Sequence, residues 1–104
     1  MDEQTFMTVV EENFARRKRL LLRKKKWRTF FSDRLSQFKA MGGLRHVKPA
    51  STAFDVSAKQ VTQLYVMVEA YNAGEDISIK DWREVIYDIQ NYLDLALACM
   101  EEEI

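Results

Sequence analysis

The 41 residues before Gly42 contain neither glycine nor proline, and the whole chain of 104 residues has three glycines and one proline. Glycine and proline mark turns, so their scarcity favours long helices over a sheet with many turns. The sequence therefore predicts an all-α protein, and its length fits a single domain spanning 1–104.

Apolar side chains at three- and four-residue spacing place the helices. Three main helices are predicted, over about 3–41, 57–72 and 78–100, with a short helix near 49–54 that has Pro49 as its first residue. The first stripe comprises Phe6, Val10, Phe14, Leu21, Phe31, Leu35 and Phe38. The third comprises Ile79, Trp82, Ile86, Ile89, Leu93, Leu97 and Met100. These stripes are expected to form the core.

Capping residues set the predicted helix ends. Gly42-Gly43 is expected to end the first helix. Ser57, with Gln60 three residues later, predicts a capping box at the start of the second. Ser78 predicts the start of the third, and the acidic residues 101–103 are expected to fray its end, because the helix dipole disfavours negative charge there.

The predicted first helix is too long for the rest of the chain to cover. At 1.5 Å per residue it would measure about 57 Å. Either it is interrupted in its basic segment or a second subunit covers the remainder. A homo-oligomeric helical bundle, completed by a second subunit, is the simpler interpretation.

The formal net charge of zero hides a strong asymmetry. Residues 1–48 carry 13 Lys and Arg against 5 Asp and Glu, whereas residues 49–104 carry 3 against 11. A basic run indicates a surface for anionic partners, although the acidic half offers an internal or intersubunit partner. The predicted interaction surface consists of Arg16, Arg17, Arg19, Arg23, Lys25, Lys26 and Trp27.

Several functional classes are disfavoured. The single cysteine, Cys99, excludes an intrachain disulfide, and His46 is the only histidine, so neither a zinc motif nor a nucleophile triad is indicated. No apolar run is long enough for a membrane span, and the acidic N-terminus is unlike a signal peptide. A cytoplasmic protein with no membrane partner is expected.

One carboxylate pair remains as a chemical candidate. Glu84 and Asp88 are four residues apart and therefore share one face of the third helix. Two such carboxylates could hold Mg²⁺ through oxygen ligands, although pairs of this kind are also common on solvated helix faces.

Two segments carry a family resemblance. They are Asp33-Arg34-Leu35 followed by Phe38-Lys39, and the run from Trp82 through Glu84 and Asp88 to Asn91-Tyr92-Leu93. Nearly the whole chain resembles small phage and prophage proteins described as MazG-like, or as carrying the nucleotide-modification-associated domain. The resemblance implies an all-α fold related to nucleoside triphosphate pyrophosphohydrolases. Those enzymes gather acidic residues around Mg²⁺ and commonly act as dimers or tetramers.

The chain also departs from the family pattern. Trp27-Arg28 stands where the family has Glu-Tyr, Gln60 follows Lys59 where the family has His, and Gln63 and Val66 replace a Ser and an Asp. Arginine can replace the charge of a metal by pairing with a carboxylate. We therefore predict that Arg28, together with Lys24, forms a salt bridge with Glu84 or Asp88 where the family has a metal.

Three functional hypotheses follow. The first is a noncatalytic, phage-derived binding module that binds a host or phage protein, or a nucleotide, and interferes with host metabolism or defence, with no cofactor. The second is an active Mg²⁺-dependent pyrophosphohydrolase. Its metal ligands would be Glu84 and Asp88, and its substrate or phosphate contacts would be Lys24, Lys59 and Asn91. The third is nucleic-acid binding through the basic helix 16–28.

Overall fold

The computed structural model describes residues 1–23 and 33–104, and within them the chain forms four α-helices and no strand. The helices are α1 (Glu3–Arg23), α2 (Ser36–Arg45), α3 (Pro49–Asn72) and α4 (Ile79–Glu103). The all-α prediction is confirmed. No helix among the described residues combines the length and apolar character needed to cross a membrane.

The predicted single helix over 3–41 is wrong, because α2 begins only at Ser36 and a turn precedes it. In that turn the Asp33 carboxylate accepts a hydrogen bond from the backbone N–H of Leu35 at 2.9 Å. Aspartate competes in this way with helical hydrogen bonds, which explains why the helical pattern does not continue through it. The sequence pattern therefore predicts the helical structure of α1 and α2 correctly, but it wrongly predicts one continuous helix.

The predicted short helix 49–54 and second helix 57–72 are one helix, α3. Pro49 lies at its start, as predicted. Ser57 does not cap a helix: it is buried inside α3, where its hydroxyl donates to the Ala53 carbonyl at 3.1 Å. Its hydroxyl is satisfied within the helix, so no chain break is needed there.

The loop Ala73–Ser78 turns the chain so that α4 returns alongside α3 in an antiparallel hairpin. Ser78 caps α4 by accepting a hydrogen bond from the N–H of Asp81 at 3.2 Å, as predicted. At the far end of the hairpin the Glu103 carboxylate accepts a hydrogen bond from the backbone N–H of Ala50 at 3.0 Å.

Helix α4 extends to Glu103, so the expected fraying after residue 100 is wrong. Glu102 forms an ion pair with Lys39, which also contacts Asp33 at 2.6 Å. Hydrogen bonds from Lys39 and from the Leu35 N–H hold the pKa of Asp33 below its usual value. These contacts tie the last turn of α4 to α2 and to the start of α3.

The core lies where α2, α3 and α4 meet. Its buried side chains are Leu35, Phe38, Ala50, Ala53, Tyr92, Leu95, Ala96 and Cys99. Phe38 and Tyr92 pack edge to face, with ring centroids 6.4 Å apart. Burial raises the pKa of the Cys99 thiol, which the nearby Glu103 and Glu102 raise further.

The predicted apolar stripe of α4 does not form this core. Helix α4 is apolar on two sides, and the side that packs contains Val85, Tyr92, Leu95, Ala96 and Cys99. The predicted stripe is largely exposed, at Ile79, Ile86, Leu93, Leu97 and Met100. The periodicity of the sequence identified one apolar side of α4, whereas α4 packs against α3 through its other apolar side.

Gly42 does not end α2, which continues to Arg45. The chain leaves the helix at His46, a residue with positive φ (57°), and passes directly over Gly42. A Cβ added at Gly42 would lie 2.7 Å from the backbone oxygen of Val47. Gly42 is therefore required for the α2–α3 connection.

We expect Gly42→Ala to lower the free energy of unfolding by about 1–3 kcal/mol, because the backbone on which the Cβ would impinge cannot move without shifting α3. Gly43→Ala is the matched control, since a Cβ there meets nothing within 4 Å. It should gain up to about 1 kcal/mol from the better helix propensity of alanine. Urea unfolding measures both, and equal effects would contradict this account of the turn.

We expect Glu103→Gln to destabilise the fold by about 1 kcal/mol, because a carboxylate at the N-terminus of α3 interacts favourably with both the buried Ala50 N–H and the helix dipole. Glu101→Gln, an exposed acidic residue in the same turn, is the control and should change stability by much less. Thermal unfolding at neutral pH compares the two. A loss of stability no larger than that of the control would contradict the role of Glu103 as a cap of α3.

Candidate functional site

A buried asparagine attaches α1 to the hairpin. The Asn91 side chain donates to the Arg17 carbonyl at 3.2 Å and accepts from the Arg17 guanidinium at 3.2 Å. The same guanidinium forms an ion pair with Asp94 and lies 5.4 Å from the centre of the Phe14 ring. Asn91, predicted as a substrate contact, therefore has both ends of its amide engaged by α1.

A second polar contact lies nearer the start of both helices. The Tyr87 hydroxyl, on a side chain that is almost wholly buried, donates to the Asn13 side chain. Contacts therefore advance in the same sense along α1 and α4, from Asn13 with Tyr87 to Arg17 with Asn91. This arrangement fixes which α1 side chains face α4.

An acidic cavity of about 470 Å³ lies between α3 and α4. Its lining residues are Gln60, Gln63, Val66, Met67, Ala70, Glu75, Ile77, Asp81, Glu84, Val85 and Asp88. The structure thus brings the predicted pair Glu84 and Asp88 to a cavity. Glu84 is exposed and Asp88 is half-buried. Lys59 is exposed on α3 and does not line this cavity.

Sequence reasoning missed two further carboxylates of this cavity. Asp81 precedes Glu84 by three residues and Asp88 by seven, which is a detectable helical spacing. Glu75 comes from the α3–α4 loop, and only the turn of the hairpin places it here. The four carboxylates line the wall without converging. Among residues 1–23 and 33–104, no three Asp, Glu, His or Cys side chains are close enough together to bind a metal ion.

The α3 side of the acidic cavity supplies amides and apolar groups. Gln60 and Gln63 offer amide oxygens, and Val66 and Met67 offer no oxygen ligand. These include positions at which the sequence departs from the MazG-like pattern. Mg²⁺ prefers carboxylate oxygens in near-octahedral geometry, and here they come only from α4 and the α3–α4 loop. The α3 wall thus adds no carboxylate to those of α4 and the loop.

The sequence predicts a salt bridge of Glu84 or Asp88 with Arg28 and Lys24. Both of these cations lie outside the described residues. Lys25, Lys26 and Trp27 of the predicted interaction surface also lie outside them. Among the described members of that surface, Arg17 pairs with Asp94, Arg19 is exposed, and Arg16 and Arg23 line a second cavity.

This second cavity, the basic cavity, lies between α1 and α4 and also measures about 470 Å³. Its lining residues are Arg16, Leu20, Arg23, Lys80, Arg83, Glu84 and Tyr87. Four cationic side chains therefore border it against one carboxylate. Glu84 borders both cavities and separates the acidic one from the basic one.

The position of Lys80 and Arg83 on α4 strengthens the positive potential of the basic cavity. Lys80 and Arg83 lie in the first two turns of α4, where the helix dipole is positive and disfavours added cations. They border the same cavity as Arg16 and Arg23 of α1. The Glu12 carboxylate, 3.8 Å from Arg16, offsets part of this charge. Like charges held close together repel one another in the empty cavity, and a bound anion relieves that repulsion.

The two α4 cations of this cavity were missed by sequence reasoning. Only three of the sixteen cations lie in residues 49–104: Lys59, Lys80 and Arg83. Two of them border the basic cavity with α1. The spacing of Lys80 and Arg83 on one helix face was detectable, but their proximity to Arg16 and Arg23 depends on how α1 crosses α4.

No protein-family model, curated protein or solved structure matches this chain. The site is therefore interpreted from its own geometry.

We expect Asn91→Ala to release α1 from α4. The substitution leaves the Arg17 carbonyl and guanidinium without their amide partner, at a cost of about 1–3 kcal/mol. Hydrogen exchange should show faster exchange across α1 with little change in the α3–α4 core. Leu97→Ala, at an exposed residue of α4, is the control and should leave α1 protected. Unchanged exchange in α1 would show that other contacts hold this helix.

Proposed function

We propose that the protein is a noncatalytic binding module that takes a phosphate-bearing ligand, with a nucleotide as the best candidate, in the basic cavity. The single observation that carries the proposal is the convergence of Arg16, Arg23, Lys80 and Arg83 from two helices around one cavity. Arginine presents several N–H donors in a planar fork, which suits the oxygens of phosphate. A volume of about 470 Å³ is of the size of small-molecule sites.

Three observations support a nucleotide over simple charge attraction. The basic cavity includes the half-buried Leu20 side chain, which offers an apolar surface for a base or sugar beside the cations. Its cations come from the acidic half of the chain as well as from the basic half. The resemblance to MazG-like proteins also favours a nucleotide.

The noncatalytic part of the proposal rests on the acidic cavity. What supports it is that the four carboxylates of this cavity do not converge among the described residues, and that the α3 wall offers the amides of Gln60 and Gln63 in place of carboxylates. A phage-derived module that retains a nucleotide without cleaving it would interfere with host metabolism or defence by sequestration.

The test is isothermal titration of ATP and of inorganic tripolyphosphate into the purified protein, in EDTA. We expect saturable binding that Arg83→Gln weakens by at least about tenfold, as removal of one charge-assisted contact predicts. Arg19→Gln is the matched control, because Arg19 carries the same charge on α1 but does not line the cavity. It should retain binding within about twofold, as expected for screened charges.

The outcomes separate the alternatives. An equal loss in both variants, with affinity that falls steeply as salt increases, would replace the cavity by a general basic surface of the kind that binds nucleic acid. No binding of either ligand would contradict the proposal. Release of pyrophosphate from any nucleoside triphosphate with Mg²⁺, lost in Glu84→Gln, would establish the hydrolase instead.

A further inference from the structure

Helix α1 buries little apolar surface against the rest of the described chain. None of its 21 residues is buried, and α4 is the only described helix on which it packs. The half-buried Leu21 packs against the core. Phe6, Val10 and Phe14, which the sequence places in a core stripe, are instead exposed by 49%, 41% and 56%. Apolar burial therefore contributes little to the docking of α1 on α4.

Polar contacts with α4 supply most of the remaining attachment. The Asn91 amide binds Arg17, and the Tyr87 hydroxyl donates to Asn13. Arg17 also pairs with Asp94, whose side chain is 54% exposed. An exposed ion pair adds little net stability, because water already solvates both charges, and a helix of this length is marginal without tertiary packing. The free energy that holds α1 in place is therefore small compared with that of the α2–α4 core.

The basic cavity spans this weakly held junction. The lining residues on α1 are Arg16, Leu20 and Arg23, and the cations on α4 are Lys80 and Arg83. Because cations stand on both helices, docking of α1 brings like charges together, and their repulsion opposes docking while the cavity is empty. The carboxylates of Glu12 and Glu84 offset only part of this charge. An anion that contacts both helices at once turns the same cations into an attraction between them.

We infer that the ligand of the basic cavity clamps α1 onto α4, so that anion binding and docking of α1 form one coupled equilibrium. The inference rests on the proposed function and says how that site is regulated. A ligand that binds only the docked form stabilises that form, and any contact that favours docking in turn favours the ligand. Asn91 is a positioning residue in this scheme, since it holds α1 without lining the cavity.

Hydrogen exchange of residues 7–14, in EDTA with and without inorganic tripolyphosphate, tests the clamp. None of these residues lines the basic cavity, so the ligand cannot protect them by covering them. Their exchange should slow by the factor 1 + [L]/Kd, which is about elevenfold at a ligand concentration ten times the Kd from titration. Potassium chloride at the same ionic strength is the control and should slow nothing.

Two results would overturn the inference in different ways. Unchanged exchange of residues 7–14, although titration shows binding that Arg83→Gln weakens, would remove the clamp and leave the proposed function intact. Absence of tripolyphosphate and ATP binding would contradict the proposed function, and the clamp with it.

The repulsion in the empty cavity is tested without any ligand. Lys80→Gln removes one cation from the α4 side of the cavity. It should slow exchange of residues 7–14 in the free protein by roughly twofold, as expected for partly screened charges, and yet weaken tripolyphosphate binding. Lys59→Gln makes the same charge change at an exposed residue of α3 outside this cavity and should alter neither quantity. Exchange in Lys80→Gln that is no slower than in the control would show that the cations do not oppose docking, and would overturn the coupling.

Discussion

The amide of Asn91 is the buried polar contact that sets the register of α1 on α4. The hairpin of α3 and α4 with α2 forms a core of its own, and α1 contributes no buried residue to it. Leu21 of α1 packs against this core, the Tyr87 hydroxyl donates to Asn13, and the Asn91 amide both donates to and accepts from Arg17. A buried amide satisfied at both ends specifies position more sharply than apolar contact, because a shift in register leaves it unpaired. The basic cavity and the exposed face of α1 both follow from that position.

Local chemistry made part of the fold predictable. Ser78 at a helix start and Pro49 at a first helical position carry their structural meaning in their own side chains, and both predictions are confirmed. Ser57 shows the limit of the same reasoning. A serine can cap a helix or donate to the preceding turn, and only the packing of α3 decides between these roles. Gly42 is similar: its small size serves a close approach of the following chain rather than a helix end.

The candidate site could likewise be predicted only in part from the sequence. Glu84 and Asp88 could be found because their spacing places them on one helix face, and the structure brings both to a cavity. Glu75 could not be found, because the hairpin brings it there from a loop. The apolar stripe of α4 was assigned to the wrong side, since a helix that is apolar on two sides gives periodicity no means of choosing. The physical information that decides such cases lies in the partner helix.

The charge asymmetry of the sequence acquires a different meaning in the structure. An acidic half and a basic half suggest mutual neutralisation, and Arg17 with Asp94 follows that expectation. Arg16 pairs with Glu12 of its own helix rather than with the acidic half, and α4 presents Lys80 and Arg83 to Arg16 and Arg23, two of the three cations in that half. Bringing cations together is unfavourable for the isolated chain, whereas neutralisation by the many nearby acids would have been available. The excess of cations over carboxylates at this cavity is the feature on which the proposal of an anionic ligand rests.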